Sequence, residues 1–167
     1  MAITRLNHAV LYVRDVPRSV AFYRDVLGFR VVHELRGAAF LQAPGSTNDH
    51  DLGLFQIGAQ AGPSEAGRAT VGLYHLAWEV DTLAGLERLS GVLAEHGALV
   101  GASDHGTTKS LYAKDPDGLE FEVAWVVPAA LLDAAAKSVT IRPLDLAGEI
   151  ERYGAETRGG VGISVPA

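Results

Sequence analysis

The chain has 167 residues, 48% hydrophobic and 20% charged, a balance that supports a packed core and excludes a disordered polymer. Fourteen basic against twenty acidic residues leave a formal net charge of −6, and with no Lys/Arg cluster a nucleic-acid partner has no electrostatic support. The absence of cysteine excludes disulfides, thiolate ligands, iron–sulfur clusters and a cysteine nucleophile.

MAITRLNHAV is not built like a secretory signal, and no run approaches eighteen apolar residues. The expectation is a cytoplasmic protein with no membrane partner. LNHAVLYVRD (6–15) alternates as a half-buried strand. Residues of equal parity share a face, so His8 goes with Val10 and Tyr12, while Ala9, Leu11 and Val13 point the other way. PRSVAFYRDVL (17–27) has helical periodicity, with Pro17 placed to start the helix and Gly28 to end it. FRVVHEL, AAFLQAP and DLGLFQI read as three further strands. His33, in the first of them, has no counterpart and reads as structural or surface. A Gly/Ala-rich loop, GAQAGPSEAGRAT (58–70), follows.

The pattern then starts again. LYHLAWEVDT (73–82) lines up with LNHAVLYVRD: Leu, one residue, His, then Val five residues after the His. LAGLERLSGVLAEHG (83–97) is a second helix closing at Gly97, with His96 in its last turn as a partner of the helix dipole. ALVGA, SLYAKD and EFEVAWV supply its strands, and Asp115–Gly118 (DPDG) between the last two is a tight turn. The predicted fold class is therefore α+β. Two βαβββ repeats, about 4–60 and 71–127, are expected to form a single domain over 1–127 as a curled mixed sheet around a shared cleft. Residues 128–167 are expected to form a C-terminal extension: a helical stretch, AALLDAAAKSV, and a looser tail, GAETRGGVGISVPA.

His75 repeats the place of His8, and a pseudo-twofold axis between the halves would project both into one cleft. In DPDGLEFEVAW, Phe121, Val123 and Trp125 make one apolar face, so Glu122 emerges on the other. Two imidazoles and a carboxylate on a rigid sheet make a facial triad, the ligand set of non-haem Fe(II) with open positions; Mn(II), Zn(II) and Ni(II) also accept it. The competing reading of His8 and His75 is a pair of hydrogen-bonded core histidines. Equivalent repeat positions, with a correctly facing Glu, favour the metal. Glu120 shares the parity of Glu122 but falls at the rim, beside the turn.

NHAVLYVRDVPRSVAFYRDVLGF, YHLAWEVD and DPDGLEFEV together resemble the vicinal oxygen chelate superfamily over about residues 4–127. That superfamily hosts glyoxalase I, fosfomycin resistance proteins, methylmalonyl-CoA epimerase, bleomycin-binding proteins and type I extradiol dioxygenases on one scaffold. HDLGLFQIG resembles the His-(Asp/Ser/Asn)-Leu-Ala-Leu stretch of the extradiol enzymes, which implies that His50 is the acid–base residue. DHGTTKSLYAKDPDGLEFE resembles compact single-module catechol 2,3-dioxygenase-like proteins, in which a Tyr stands ten residues before the metal-binding Glu. By that match Tyr112 and His105 are catalytic groups near the substrate oxygens.

The resemblance thus implies Fe(2+), with Mn(2+) or another divalent metal as substitutes, and ring cleavage of a catechol-type aromatic by O2. Val10, Leu52, Leu54 and Ala77 are the apolar cleft residues expected to face the ring, and a homodimer or higher homo-oligomer is implied. Two alternatives stand. One is a metal-dependent glyoxalase-, epimerase- or lyase-type enzyme using Gln56 or water as an extra ligand. The other is a non-enzymatic binding or resistance protein for an aromatic compound.

Overall fold

The structure, a computed structural model, describes residues 2–3, 5–67, 69–133 and 141–160. The chain divides into two compact units. One ends at Ser64 and takes in Asp115–Gly118; the other runs from Glu65 to Lys114 and on from Leu119. Each carries one βαβββ repeat, as the sequence pattern leads one to expect.

The first unit holds β1 (Ala9–Val13), α1 (Val16–Leu27), β2 (Arg30–Leu35), β3 (Ala38–Gln42) and β4 (Leu52–Gln56). Its sheet order is β1-β4-β3-β2, with β1 parallel to β4 and the other pairs antiparallel. α1 begins where the Asp15 carboxylate accepts a hydrogen bond from the Arg18 N–H, and Pro17 sits in the first turn, where a missing N–H costs nothing. It ends at Gly28, whose φ of 76° suits a residue without Cβ. Its buried stripe of Val16, Val20, Tyr23 and Val26 packs on β2, β3 and β4. Burial alternates along β1: Leu11 and Val13 are buried, Val10 and Tyr12 exposed.

The parallel register sets Ala9 beside Leu52 and Leu11 beside Leu54, and both β4 leucines are fully buried. Leu52 and Leu54 are therefore core residues, which corrects their expected place in the cleft. Parity counted from His50 fails because Asp51 lies outside the regular strand. Its carboxylate organises the preceding loop, accepting from the Ala43 N–H, the Ser46 hydroxyl and the Asn48 amide. The open face of this sheet carries Val10, Phe40, Gly53 and Phe55, brought side by side by the register. The Asp115–Gly118 turn counts with this unit. Asp117 accepts from the Arg14 guanidinium at 2.8 Å and from the Arg14 N–H at 2.9 Å, and the Tyr23 hydroxyl donates to Asp115 at 3.3 Å.

The second unit holds β5 (Leu76–Glu79), α2 (Leu83–Glu95), β6 (Leu99–Asp104), β7 (Thr108–Lys114) and β8 (Glu120–Val126). A 3-10 turn (Ala129–Leu131), β9 (Arg142–Pro143) and α3 (Leu146–Tyr153) follow. The sheet order is β5-β8-β7-β6-β9. Thr82 caps α2 by accepting from the Gly85 N–H, and Asp145 caps α3 through the Gly148 N–H. The strands thus form two sheets, of four and five strands, one for each βαβββ repeat, within the α+β class expected.

The described start of AALLDAAAKSV is one 3-10 turn, and residues 134–139 of that stretch lie outside the described residues, as do 161–167 of the tail. α3 was not foreseen in the sequence pattern. Among the described residues no helix is long and apolar enough to cross a membrane.

The face assignment in β4 is checked by chemical denaturation. Leu54→Ala should cost about 2–5 kcal/mol, whereas Val10→Ala on the open face should stay within about 0.5 kcal/mol of the parent. Equal losses at the two positions would contradict the assignment.

Candidate functional site

In the first unit the chain enters β1 through His8, an exposed residue on the side opposite the core. Its Nδ1 lies 2.7 Å from Asn7 Oδ1. An amide oxygen only accepts, so Nδ1 is the donor of this contact, and Nε2 is the ring nitrogen left to other partners. The loop before β4 turns His50 toward the same spot. The two rings stand 4.5 Å apart by centroid, and Phe40 meets His50 edge-on at 5.2 Å. His50 Nδ1 lies 3.0 Å from Asp49 Oδ2, so Nδ1 is the donor of this contact and Nε2 is the ring nitrogen left to other partners. Asp49 titrates below the ordinary carboxyl range because the His50 backbone N–H, then its ring N–H, donate to it.

Gln56 is placed elsewhere. Its Oε1 accepts from the Val16 N–H at 3.2 Å, at the start of α1 and on the core side of β4. This corrects its candidacy as an extra ligand beside His8: the backbone of α1 has already claimed its acceptor.

In the second unit the β7–β8 register sets Tyr112 directly opposite Glu122, and the β5–β8 register sets Ala77 beside Glu122. Phe121, Val123 and Trp125 are buried on the other face, as the alternation of β8 requires. His75 immediately precedes β5 and brings Nε2 to 3.1 Å from Glu122 Oε2. Its Nδ1 is buried with no hydrogen-bond partner among the described residues. The His105 Nε2 lies 2.7 Å from the Tyr112 hydroxyl, and the Tyr112 ring is 6.0 Å from that of His75. Burial, then the negative charge of Glu122, raises the Tyr112 pKa. The phenol is held protonated, as a hydrogen-bond donor must be.

The structure thus gathers four of the six residues singled out in the sequence, His75, Glu122, Tyr112 and His105, in the second unit, and pairs His8 with His50 in the first. Glu120 pairs with Lys114 at the end of the hairpin, beside the turn. His33 is exposed near Phe40, and the His96 ring bonds the Val92 carbonyl at the end of α2. Asn7, Asp49 and Asp51 were missed. Their only signal is a polar side chain flanking each histidine or strand start, which is too common to single out.

The donor set suits a divalent cation. The 3.1 Å between His75 Nε2 and Glu122 Oε2 is close to the roughly 3 Å edge between adjacent ligands that each sit about 2.1 Å from one ion. With Nδ1 engaged by Asn7, Nε2 is the nitrogen His8 would offer a metal, which takes the unprotonated form. Among the described residues no group of three His, Asp or Glu side chains stands ready-gathered as a metal cluster; the structure provides one histidine pair and one histidine–glutamate pair.

Two βαβββ repeats, each with a histidine at the mouth of its first strand and a glutamate on the last strand of the second, define a class of paired-module proteins. Residues 5–123 match the Glyoxalase/Bleomycin resistance protein/Dioxygenase superfamily, and the chain belongs to that superfamily. It is 29% identical over 161 residues to the catechol-2,3-dioxygenase of Bacillus subtilis (strain 168), across 93% of this chain and 54% of that protein. It is 38% identical over 120 residues to biphenyl-2,3-diol 1,2-dioxygenase 3 of Rhodococcus globerulus, across 71% of this chain and 62% of the relative. The chain therefore spans between half and two-thirds of the length of these curated relatives. A solved mutant of the fosfomycin resistance protein of Listeria monocytogenes, complexed with Mn(II) and 1S,2S-dihydroxypropylphosphonic acid, shares the fold. Its TM-score is 0.56 at 19% identity, over 73% of this chain and 90% of that one.

The electrostatic coupling in the second unit is open to spectroscopy. Alkaline ultraviolet titration, read as the difference between parent and Tyr112→Phe, should place the Tyr112 phenol above its ordinary 10.0. Glu122→Gln removes a negative charge that opposes the phenolate, so the midpoint should fall, with burial still holding it above the ordinary value. A midpoint unmoved by Glu122→Gln would contradict the geometry.

Proposed function

We propose that this chain is an Fe(II)-dependent extradiol dioxygenase that opens a catechol-type aromatic ring with both atoms of O2, working as a cytoplasmic homodimer. In this reading His8, His75 and Glu122 together hold the metal. The observation that carries it is Tyr112: its ring stands in register opposite Glu122 and beside His75, with its hydroxyl on His105. The dioxygenases among the relatives support the same reading.

Bound Fe(II) would supply the Lewis acidity and the redox partner that an O2-dependent cleavage needs. The chain's own groups do the rest. His50, with Nδ1 committed to Asp49, keeps Nε2 to take a proton from the diol and return it later; imidazole suits both directions near neutral pH. When His105 donates its Nε2–H to the Tyr112 oxygen, the phenol proton is left to bond a substrate oxygen. Val10, Phe40 and Phe55, around the side-chain-free Gly53, offer an aromatic ring a flat apolar wall on the His8–His50 side.

The glyoxalase-, epimerase- or lyase-type alternative loses its protein ligand with Gln56 engaged at Val16, leaving only water for that role. A mere binding cleft has no use for an imidazole and a carboxylate converging at 3.1 Å.

Oxygen uptake by anaerobically Fe(II)-loaded protein across a catechol panel tests the proposal. Uptake matched by ring-opened product is expected, and none across the panel would overturn it; turnover without O2 would favour the isomerase or lyase reading. His50→Ala should lower kcat by about 10²–10⁴ and Tyr112→Phe by about 100-fold, with metal content unchanged in both. A His50→Ala enzyme at the parent rate would remove His50 from the acid–base role.

A further inference from the structure

Lys109 stands on the core side of β7 and is fully buried. A lone ammonium there would be costly, and two carboxylates meet it: Asp104 Oδ1 at 2.5 Å and Glu149 Oε2, from α3, at 3.0 Å. Arg142, in β9, reaches Asp104 Oδ2 at 3.0 Å. The cluster therefore balances two positive and two negative charges, and half its members come from the C-terminal extension.

Asp104 does more than pair charge. Its Oδ1 also accepts from the Gly106 N–H at 2.7 Å. Gly106 has φ of 79°, and the His105 N–H closes the turn on the Thr108 carbonyl at 2.9 Å. The turn pinned by Asp104 is the one that carries His105, whose Nε2 reaches the Tyr112 hydroxyl. A buried ion cluster contributes little net stability compared with apolar residues of the same volume, but it fixes direction.

We infer that Arg142 and Glu149 are positioning residues for the His105–Tyr112 pair. Through Asp104, and for Glu149 through Lys109, they hold the 104–107 turn in the one orientation that directs His105 onto the Tyr112 oxygen. The extension is then part of the working site although it supplies no group to the substrate. The kinetic consequence rests on the dioxygenase reading; the structural one does not.

The test uses the full chain with Glu149→Gln and Arg142→Ala. The Arg142 side chain is 55% exposed, so its variant should fold even where Glu149→Gln does not. Nitrogen-15 spectra of the imidazoles, with the His105 signals assigned by a His105→Gln variant, should show one fixed tautomer in the parent. In both variants they should show averaging between tautomers, with the remaining backbone spectrum native. In the Fe(II)-loaded enzyme kcat should fall about 10- to 100-fold with KM and metal content unchanged, and Arg142→Lys should restore part of it. In a Tyr112→Phe background the Arg142→Ala effect on kcat should vanish. Unchanged His105 signals in the folded variants, or an Arg142→Ala effect of equal size in that background, would overturn the inference. If the parent consumes no O2 with any catechol, the dioxygenase reading falls, and the nitrogen-15 result alone decides this one.

Discussion

The register of the β7–β8 hairpin is the constraint on which the candidate site depends. Side chains alternate between faces with a period of two, so a slip of one residue would send Glu122 into the core and bring Phe121 out. The Asp115–Gly118 turn fixes that register. The Asp117 N–H bonds the Asp115 carboxylate at 2.9 Å, the Gly118 N–H bonds the Asp115 carbonyl at 2.9 Å, and Gly118 takes φ of 85°. The Arg14 guanidinium and backbone then clamp Asp117 from outside the hairpin. With the register set, Tyr112 faces Glu122 across one strand pair, and the electrostatics between them follow.

The same alternation divides labour in both units. A capped amphipathic helix covers one face of each sheet, and the opposite face is left to carry polar and aromatic groups. Lys109 and its cross-strand partner Asp104 are buried charged residues on a core face, and they are accommodated by each other, Glu149 and Arg142. Burial works against the Asp104 charge, but the hydrogen bonds from Lys109 and the Gly106 N–H, with the charges of Lys109 and Arg142, outweigh it and lower its pKa. A chemistry-bearing face and a charge-bearing core thus meet at one turn, residues 104–107.

Much of this was legible in the sequence because it rests on local, periodic signals. The repeat of Leu-x-His with Val five residues on, the helix start and stop signals Pro17 and Gly28, and the alternation in EFEVAW gave the modules and the outward face of Glu122 directly. The ten-residue spacing from Tyr112 to Glu122 came from the family resemblance, and its structural cause is the five residues, 115–119, between the paired strand ends Lys114 and Glu120. The failures came where a tertiary partner decides. Asp51 breaks the parity of its strand by bonding three loop groups, so Leu52 and Leu54 turned out to be core. Gln56 looked like a ligand until the Val16 N–H claimed it. α3 is short and is held by the Lys109 cluster, a contact no periodicity announces.

The proposed metal role of His8, His75 and Glu122 underlies the dioxygenase reading. Its most direct measurement is anaerobic titration of Fe(II), with Mn(II) as a stable surrogate, into the parent, a His8→Ala/His75→Ala double variant and Glu122→Gln, with folding checked in each. One ion per chain is expected in the parent, none retained by the double variant, and strongly weakened binding in Glu122→Gln. Stoichiometric metal retained by a folded double variant would contradict it.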